Sequence, residues 1–201
     1  HSDLDRLIDD ILKPCCNKII DICNVLLDDI KNIKEYKMYI GKVGTRKTIK
    51  MNRPLIGICL GAQLIAKSLG ADVKNHHQNK VEIGYKKIFN SKKSKNIHSI
   101  PEKVYHWHQQ GISLPKNAKL LAYNSTFKVQ AFSLDNKVFG FQFHPEVNMQ
   151  MILRWNQKSK AMLTKTGAQN KERQLLSHKK NAKKVKLWFE NFLKECLGLN
   201  N

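Results

Sequence analysis

Apolar residues recur at helical spacing near both ends of the chain. Between Leu4 and Ile33 they follow a helical period that Pro14 interrupts, which predicts two helices. A second stripe predicts an amphipathic C-terminal helix over 172–197. Its buried face is expected to consist of Val185, Trp188, Phe189, Phe192 and Cys196.

The middle of the chain begins with a change from strand to helix. Residues 54–58 (PLIGI) are a short apolar run, typical of a strand that is buried on both faces. The pattern becomes helical from Leu60 to Leu69, and Gly70 suits the C-terminal cap of that helix. Before this unit, residues 37–53 are basic and weakly patterned, which predicts a loop or a weak strand around Met38–Ile40.

Further strands are predicted downstream. They cover 81–89 (VEIGYKKIF), 119–123, 128–134 and 138–143 (VFGFQF), and Asp135-Asn136 marks the turn before the last of them. Residues 92–96 are expected to form a basic loop and 156–172 to be irregular. Strands mixed with helices around one buried strand predict a single α/β domain over 1–201.

Charge adds little to this picture. The 201 residues carry 36 Lys and Arg against 16 Asp and Glu, a net charge of +20. Such a charge can indicate nucleic-acid binding. However, the lysines are spread along the chain, and there is no RNP-like aromatic strand, zinc finger or Gly-rich phosphate loop. Nucleic-acid binding is therefore not expected.

The cysteines and the apolar runs indicate the compartment. Five cysteines, at positions 15, 16, 23, 59 and 196, form no CxxC pair and no even framework, so reduced thiols in the cytoplasm are the simpler interpretation. No apolar run approaches the roughly 18 residues of a membrane span, and residues 1–10 lack the apolar stretch of a signal peptide. No membrane association is expected.

Cys59 lies at the predicted junction of strand and helix, with Gly57 and Gly61 on either side. This G-x-Cys-x-G spacing is typical of a nucleophile elbow, where larger neighbours would collide with the backbone. The turn lifts the side chain out at the carboxyl end of the strand and aims the Leu60 N–H at a reacting carbonyl, as one oxyanion donor. The start of the helix also favours the thiolate.

His144 and Glu146 follow the predicted strand 138–143 directly. A thiolate needs a base that moves protons and a group that orients this base. The end of a strand is where α/β sheets place catalytic groups, and Pro145 restricts the backbone between the two side chains. We predict that Cys59, His144 and Glu146 act as nucleophile, base and orienter.

These residues resemble a known family. The segments 57–71 (GICLGAQLIAKSLGA) and 140–147 (GFQFHPEV) resemble the nucleophile elbow and the His-Pro-Glu segment of class I glutamine amidotransferases. Segments 81–85, 106–115, 120–125 and 129–132 are similar to the same family, in a stand-alone branch related to the glutaminase domain of GMP synthetase. The resemblance implies a three-layer α/β/α flavodoxin-like fold with its core at 54–150 and an atypical segment at 1–53.

The resemblance also implies an activity. Cys59 would attack the glutamine side-chain amide to give a γ-glutamyl thioester, and His144 would protonate the departing ammonia and then activate water. Gln63 would contact the substrate, as would the elbow glycines, Gly57 and Gly61, while Trp107 and His108 would lie in the loop that holds the glutamine backbone groups. A synthetase partner would accept the ammonia. No cofactor is expected, and no metal either, because His76, His77 and His98 have no partner at metal-ligand spacing.

The chain departs from the family in two places. No Gly-Gly pair precedes Pro54 to supply the second oxyanion N–H, and Gly41-Lys42-Val43-Gly44 is the only candidate. Gln109 and Gln110 stand where the family usually has an Asp. Three hypotheses therefore stay open: a working glutaminase, a nearly inactive relative that serves as a binding module, and a γ-glutamyl peptidase.

Overall fold

A computed structural model describes residues 55–92 and 99–196, together with Thr45 and Ile49. The strands are β1 (Leu55–Ile58), β2 (Val73–Asn75), β3 (Glu82–Lys87), β4 (Phe89–Asn90), β5 (Lys103–His108), β6 (Gln110–Ile112), β7 (Lys119–Tyr123), β8 (Ala131–Leu134) and β9 (Val138–Phe141). The helices are α1 (Leu60–Ser68), α2 (Met149–Lys158), α3 (Lys160–Leu163) and α4 (Lys171–Cys196).

The main sheet has the strand order β1-β9-β8-β7-β4. β1 and β9 are parallel and in register from Leu55 opposite Val138 to Ile58 opposite Phe141. β8 and β9 form an antiparallel hairpin. Three residues separate the paired Leu134 and Val138, and two of them, Asp135 and Asn136, have φ of 52° and 53°, a left-handed conformation found in tight hairpin turns. The predicted turn is therefore confirmed.

Two shorter antiparallel pairs lie beside the main sheet. β2 pairs with β6, and β3 pairs with β5 over six residue pairs from Glu82–His108 to Lys87–Lys103. Because β6 begins two residues after β5 ends, these pairings hold residues 106–112 against two separate strands. The segment is thereby fixed close to the end of β1.

Helices cover the main sheet on both faces. On one face α1 packs against Leu55, Phe132 and Val138. On the other face α4 buries Trp188, Phe189 and Phe192 against Phe139 and Phe141. Alternate residues of β9 thus face opposite layers, as the two-residue period of a strand requires. The three-layer α/β/α, flavodoxin-like arrangement that the sequence predicts is confirmed.

Gly140 shows how tightly these layers fit. A Cβ at this position would lie 2.3 Å from the Cε1 atom of Phe132, a fully buried ring on the neighbouring strand. Glycine lets Phe132 cross the strand and reach the α1 layer. The close packing of β8 and β9 therefore depends on the absence of a side chain here.

Several helix and strand predictions hold with shifted ends. The C-terminal helix spans 171–196 rather than 172–197, the strand at 119–123 has its predicted ends, and Gly70 caps α1 with a φ of 85°. The strand predicted at 128–134 begins only at Ala131, and the one at 81–89 is divided into β3 and β4. In β1, Leu55 and Gly57 are buried but Ile56 and Ile58 are half-buried, so burial on both faces is incomplete.

Two predictions are wrong, one of them only in part. Residues 156–172 are irregular only at 159 and 164–170, because the rest of the segment contains the end of α2, all of α3 and the start of α4. Asn148 caps α2 by accepting a hydrogen bond from the Met151 N–H at 2.9 Å, a signal that the sparse apolar pattern hid. Thr45 and Ile49 are helical, so a loop or weak strand is wrong at those two positions.

The other predictions before Leu55 lie outside the described residues. These are the two N-terminal helices around Pro14, the strand at 38–40 and the Gly41–Gly44 turn. Most of the basic loop at 92–96 is also outside. Across 55–92 and 99–196, no helix is both long enough and apolar enough to cross a bilayer.

Candidate active site

Cys59 occupies a strained turn between β1 and α1. Its φ of 47° and ψ of −103° are values that a residue with a side chain rarely adopts. The Cys59 N–H donates to the Phe141 carbonyl at 2.7 Å, and the Cys59 carbonyl accepts from the Gln63 N–H at 3.0 Å. These bonds hold the thiol at the carboxyl end of the parallel pair β1–β9.

Gly57 makes this turn sterically possible. A Cβ on Gly57 would lie 2.5 Å from the carbonyl carbon of Gly61 and 2.6 Å from Cδ1 of Ile65. The strand therefore passes the first turn of α1 closer than any side chain permits. This contact is the physical reason for the glycine spacing around Cys59.

His144 follows the neighbouring strand and is bonded on two sides. Its backbone N–H donates to the Tyr105 carbonyl at 2.7 Å, and its Nδ1 donates to Oε1 of Glu146 at 2.7 Å. This leaves Nε2 as the nitrogen available to Cys59, whose sulfur lies close enough to raise the pKa of the ring. The structure therefore brings together the three side chains proposed for the triad.

Electrostatics favour a protonated His144. Burial by itself lowers the pKa of His144, but the Glu146 carboxylate and the Cys59 sulfur outweigh it and raise the pKa to about 10. The ring also packs edge-on against Trp155, with 4.8 Å between ring centroids. An imidazolium beside the thiol can donate a proton to a leaving group.

Two other polar groups contact the Cys59 sulfur. Sγ donates to the Trp107 carbonyl at 3.9 Å, and Nε2 of Gln142 donates to Sγ at 3.8 Å. Gln142 is only 1% exposed. Sequence reasoning missed this residue, although an amide at the end of the apolar run VFGFQF is a signal that could have identified it.

Gln63 lies beneath the site rather than in an open cleft. It is 8% exposed, and its Nε2 donates to the Gln110 carbonyl at 3.3 Å and to Oε1 of Gln142 at 3.4 Å. Gln63 thus links α1 to β6 and to the residue after β9. Its contact with a substrate stays a prediction, because the structure shows its donor already engaged with protein acceptors.

Trp107 and His108 do not lie in a loop. Both belong to β5, because its pairing with β3 continues to the Glu82–His108 pair. Trp107 is half-buried and presents its carbonyl to Cys59, while His108 is 4% exposed and points into the protein interior. The prediction that Trp107 and His108 lie in a loop was wrong because the pairing of β3 with β5 extends further than the sequence pattern suggested.

A polar cavity of about 440 Å³ lies beside this segment. Its lining includes Gln109, Asn75, Gln78, Lys165 and Thr166, and Lys165 Nζ donates to Oε1 of Gln109 at 2.8 Å. None of the described residues that line it is Asp or Glu. The cavity can therefore offer amide, hydroxyl and ammonium groups to a ligand but no carboxylate.

A second group of ionisable side chains lies behind the site. The Glu82 cluster, which we define as Glu82, His106 and His108, has three potential ligand atoms within 4.8 Å of one another, and all three residues are buried. Burial raises the pKa of Glu82, but the two histidines and the Asn124 amide outweigh it and lower the pKa to about 2. By contrast, burial lowers the pKa of His106 to about 3. Within the described residues, this cluster is the candidate for holding a metal.

His76, His77 and three aromatic residues lie where the sequence predicts them. His76 and His77 lie in the loop after β2 with their rings stacked on each other. Trp155, Trp188 and Phe192 are core residues with exposures of 3–6%. His98 lies outside the described residues.

Comparison with known proteins bears on the family. The family described as "Glutamine amidotransferase class-I" matches residues 35–152. A GMP synthase (glutamine-hydrolyzing) subunit of Picrophilus torridus is 35% identical over 126 residues, which cover 61% of this chain and 60% of that protein. Gamma-glutamyl peptidase 4 of Arabidopsis thaliana is 29% identical over 119 residues, covering 53% of this chain and 45% of that one.

The fold agrees with these similarities. The crystal structure of a glutamine amidotransferase from Thermotoga maritima superposes with a TM-score of 0.72 at 27% identity, covering 83% of this chain and 72% of that one. The chain spans about half the length of the curated relatives it matches. The family match nevertheless covers more than half of the chain and includes both the Cys59 turn and the His144 segment. The chain therefore belongs to the class I glutamine amidotransferase family.

Proposed function

We propose that this protein hydrolyses the side-chain amide of glutamine and that Cys59, His144 and Glu146 carry out the reaction. The observation that supports this most is the placement of His144, whose Nδ1 is bonded to Glu146 at 2.7 Å while the Cys59 sulfur lies close enough to raise the pKa of its ring. A thiol, an imidazole and a carboxylate in this order are the groups required for acyl transfer.

The first half of the reaction forms a thioester. The Cys59 sulfur attacks the side-chain carbonyl carbon of glutamine, which forms a C–S bond and places negative charge on the oxygen. His144 gives its proton to the amide nitrogen, the C–N bond breaks and ammonia leaves. The product on the enzyme is a γ-glutamyl thioester at Cys59.

The second half releases glutamate. Neutral His144 takes a proton from water as the water oxygen attacks the thioester carbonyl. The C–S bond then breaks, the sulfur leaves as thiolate, and His144 is again protonated. Glu146 keeps the ring in the tautomer and orientation that both steps need.

The developing oxyanion needs hydrogen-bond donors. Leu60 is the first residue of α1, and the N–H groups of a helix's first turn have no acceptor within the helix. Its N–H follows Cys59 directly in the elbow and is proposed as one donor. Gln142 is the described side chain whose N–H already faces the sulfur, and we propose it as a supporting donor.

A second candidate function is cleavage of γ-glutamyl amides larger than glutamine. The similarity to a γ-glutamyl peptidase favours it, as does the 440 Å³ polar cavity, which includes Gln109, two residues beyond the carbonyl that contacts Cys59. Cavities of this size hold ligands larger than an amino acid side chain. Both functions use the same thioester chemistry and differ in the leaving amine.

The ammonia acceptor and the compartment belong to the same proposal. A relative named as one subunit of a GMP synthase suggests that a separate synthetase chain receives the ammonia. The mechanism needs a reduced thiol, so we propose the cytoplasm as its compartment.

Ammonia release from glutamine by the purified chain tests this proposal. We expect release in the wild type and a loss on the order of 10⁴-fold or more in Cys59→Ala. Cys196→Ala is the matched control, because Cys196 is a half-buried thiol in α4, outside the proposed site, and its replacement should leave activity unchanged. Release from γ-glutamyl dipeptides at a higher kcat/KM than from glutamine would favour the second function, and no release from either would contradict both.

A further inference from the structure

We propose that Glu82, His106 and His108 form a buried binding site for a zinc-class divalent cation, which ties β3 to β5 behind the Cys59 site. The site is separate from the proposed triad and does not depend on the proposed function. It uses three side chains to which the thioester chemistry assigns no role.

Strand pairing places the three residues together. Glu82 is the direct cross-strand partner of His108 in the antiparallel pair β3–β5. His106 is two residues before His108, so both imidazoles project from the same face of β5. The rigid ladder therefore presents one carboxylate and two imidazoles to a common point.

The distances within the Glu82 cluster fit a metal coordination sphere. Nδ1 of His106 is 3.2 Å from Nε2 of His108, and Oε2 of Glu82 is 3.5 Å from the former and 3.3 Å from the latter. Ligands bound at about 2.0–2.1 Å to a tetrahedral Zn²⁺ stand about 3.3–3.4 Å apart. The three atoms thus form a nearly equilateral triangle with the dimensions of one face of such a sphere.

Ordinary hydrogen bonding accounts for the 3.2 Å contact between the two imidazoles but less well for the distances from the Glu82 carboxylate to them. Two amides donate to the same carboxylate, Asn124 Nδ2 to Oε1 and Gln130 Nε2 to Oε2, each at 2.7 Å. A charge-assisted bond from an imidazole would also be about 2.7–2.9 Å long. The carboxylate therefore holds its amide donors tightly, whereas both imidazoles stay at the spacing of fellow ligands.

The surroundings orient the ligand atoms of His108 and Glu82, whereas Nε2 of His106 is buried without a hydrogen-bond partner among the described residues. Nδ1 of His108 faces the Gln110 carbonyl at 2.9 Å, and a carbonyl can only accept, so Nδ1 carries the proton and Nε2 keeps its lone pair when the ring is neutral. Metal-bound histidines usually donate their other N–H to a carbonyl or carboxylate in this way. Asn124 and Gln130 fix the carboxylate in the same manner.

Charge also favours a cation at this point. The Glu82 side chain is 3% exposed, and within 55–92 and 99–196 its ion-pair partners are the two imidazoles. A buried carboxylate is normally paired with a positive charge or coordinates a metal. The positive charge is therefore either a proton on an imidazole or a metal ion, and two imidazoles with one carboxylate suit Zn²⁺ rather than Mg²⁺ or Ca²⁺.

Metal content tests the site directly. The chain, purified without a polyhistidine tag from zinc-supplemented medium and dialysed, is expected to retain about one zinc per chain by elemental analysis. Replacement by Co²⁺ should give the visible absorption bands of a low-coordinate site. Glu82→Gln should reduce the zinc content and the Co²⁺ absorption to background. Cys59→Ala should keep both signals, so the result does not depend on catalysis.

Controls separate this site from surface binding. The double variant His76→Ala/His77→Ala removes the stacked pair in the loop after β2 and should retain the metal. His178→Asn removes a buried histidine that bonds Tyr85 instead, and it should retain the metal too. Metal that persists in Glu82→Gln but is lost from the His76/His77 variant would overturn the proposal.

A measurement on the wild type guards against variants that fail to fold. The ¹⁵N shifts of the His108 ring should show protonated Nδ1 and a metal-bound Nε2 in the zinc-loaded chain. An imidazolium at His108 in zinc-supplemented protein, with no stoichiometric metal, would show that a proton supplies the charge and would overturn the proposal.

Discussion

At the scale of the residue, His144 is the centre of the proposed chemistry. One ring nitrogen is bonded to Glu146, and the nearby Cys59 sulfur also raises the pKa of the ring. Each neighbour carries or can carry a negative charge, so both favour the imidazolium. Changes to either neighbour should therefore act through the proton on His144.

Glu146→Gln tests the orienting role. The amide keeps the size of the side chain but can present an N–H to Nδ1 and stabilise the wrong tautomer. We expect kcat for ammonia release to fall about 10²- to 10⁴-fold, with little change in KM. Steady-state kinetics with glutamine measure this, and an unchanged kcat would contradict the assigned role.

The raised pKa of His144 predicts a pH dependence of stability. The ordinary pKa of histidine is 6.5, and in the folded protein it is about 10. Between these values the native state holds a proton that the unfolded chain releases. The free energy of unfolding should therefore fall as the pH rises through this window, by up to about 1.4 kcal/mol per pH unit, and should be fully retained below it.

Urea unfolding of the wild type and of His144→Asn between pH 6 and pH 10 (roughly the same window) measures this dependence. The difference in the free energy of unfolding between the wild type and His144→Asn should shrink as the pH rises. His178→Asn is a suitable control, since burial lowers the pKa of His178 and its effect lies at lower pH. A difference that grows with pH would contradict the assignment.

Gln142 gives a further prediction. Its Nε2 donates to the Cys59 sulfur, and its Oε1 accepts from Gln63. Gln142→Leu should slow both iodoacetamide alkylation of Cys59 and ammonia release by roughly 10- to 100-fold, because a hydrogen bond to a charged group is lost. Gln157→Leu on the exposed face of α2 is the control, and equal reactivity of both variants would remove Gln142 from the site.

The sequence predicted the residues whose roles depend on neighbours close in the chain. It did not reveal the residues whose partners lie far away in the chain. The glycine at position 57 follows from a strand that touches the next helix, which the G-x-Cys-x-G spacing already implies. Gln142 and Glu82 have functional neighbours that are 83 and 24–26 positions away, respectively. Only the pairing of β1 with β9 and of β3 with β5 brings those neighbours within reach.

At the scale of the element, the length of the apolar pattern decided what could be predicted. α4 repeats its apolar stripe through Val185, Trp188, Phe189 and Phe192, and its ends were predicted to within one residue. α2 buries only Ile152, Trp155 and Asn156. Asn156 is a polar residue whose amide bonds Gln174 at 2.9 Å, a tertiary contact that no periodicity reveals.

Phe192 tests how much α4 contributes to stability. Its ring lies 5.0 Å from Phe139 and 5.1 Å from Phe141, measured between centroids. Phe192→Ala should lower the free energy of unfolding by about 3–5 kcal/mol. Leu187→Ala changes a residue of the same helix that is 57% exposed and should cost less than about 0.5 kcal/mol in the same urea titration.

At the scale of the whole molecule, the proposed site depends on the parallel pair β1–β9. Cys59 follows one strand, and Gln142 to Glu146 follow the other, so their side chains meet at the same edge of the sheet. That meeting could be predicted from the sequence, since both segments lie at the ends of predicted strands. The contribution of β5, whose Trp107 carbonyl faces the Cys59 sulfur, could be recognised only from the three-dimensional structure.

The central claim is that Cys59 forms a thioester with the γ-carbonyl of a glutamyl amide. The most direct measurement is covalent trapping with a chloroketone analogue of glutamine, followed by intact mass and peptide mapping. We predict one adduct per chain at Cys59, slowed by excess glutamine and abolished in Cys59→Ala. No adduct, or equal labelling of Cys59 and Cys196 that glutamine does not slow, would contradict the account.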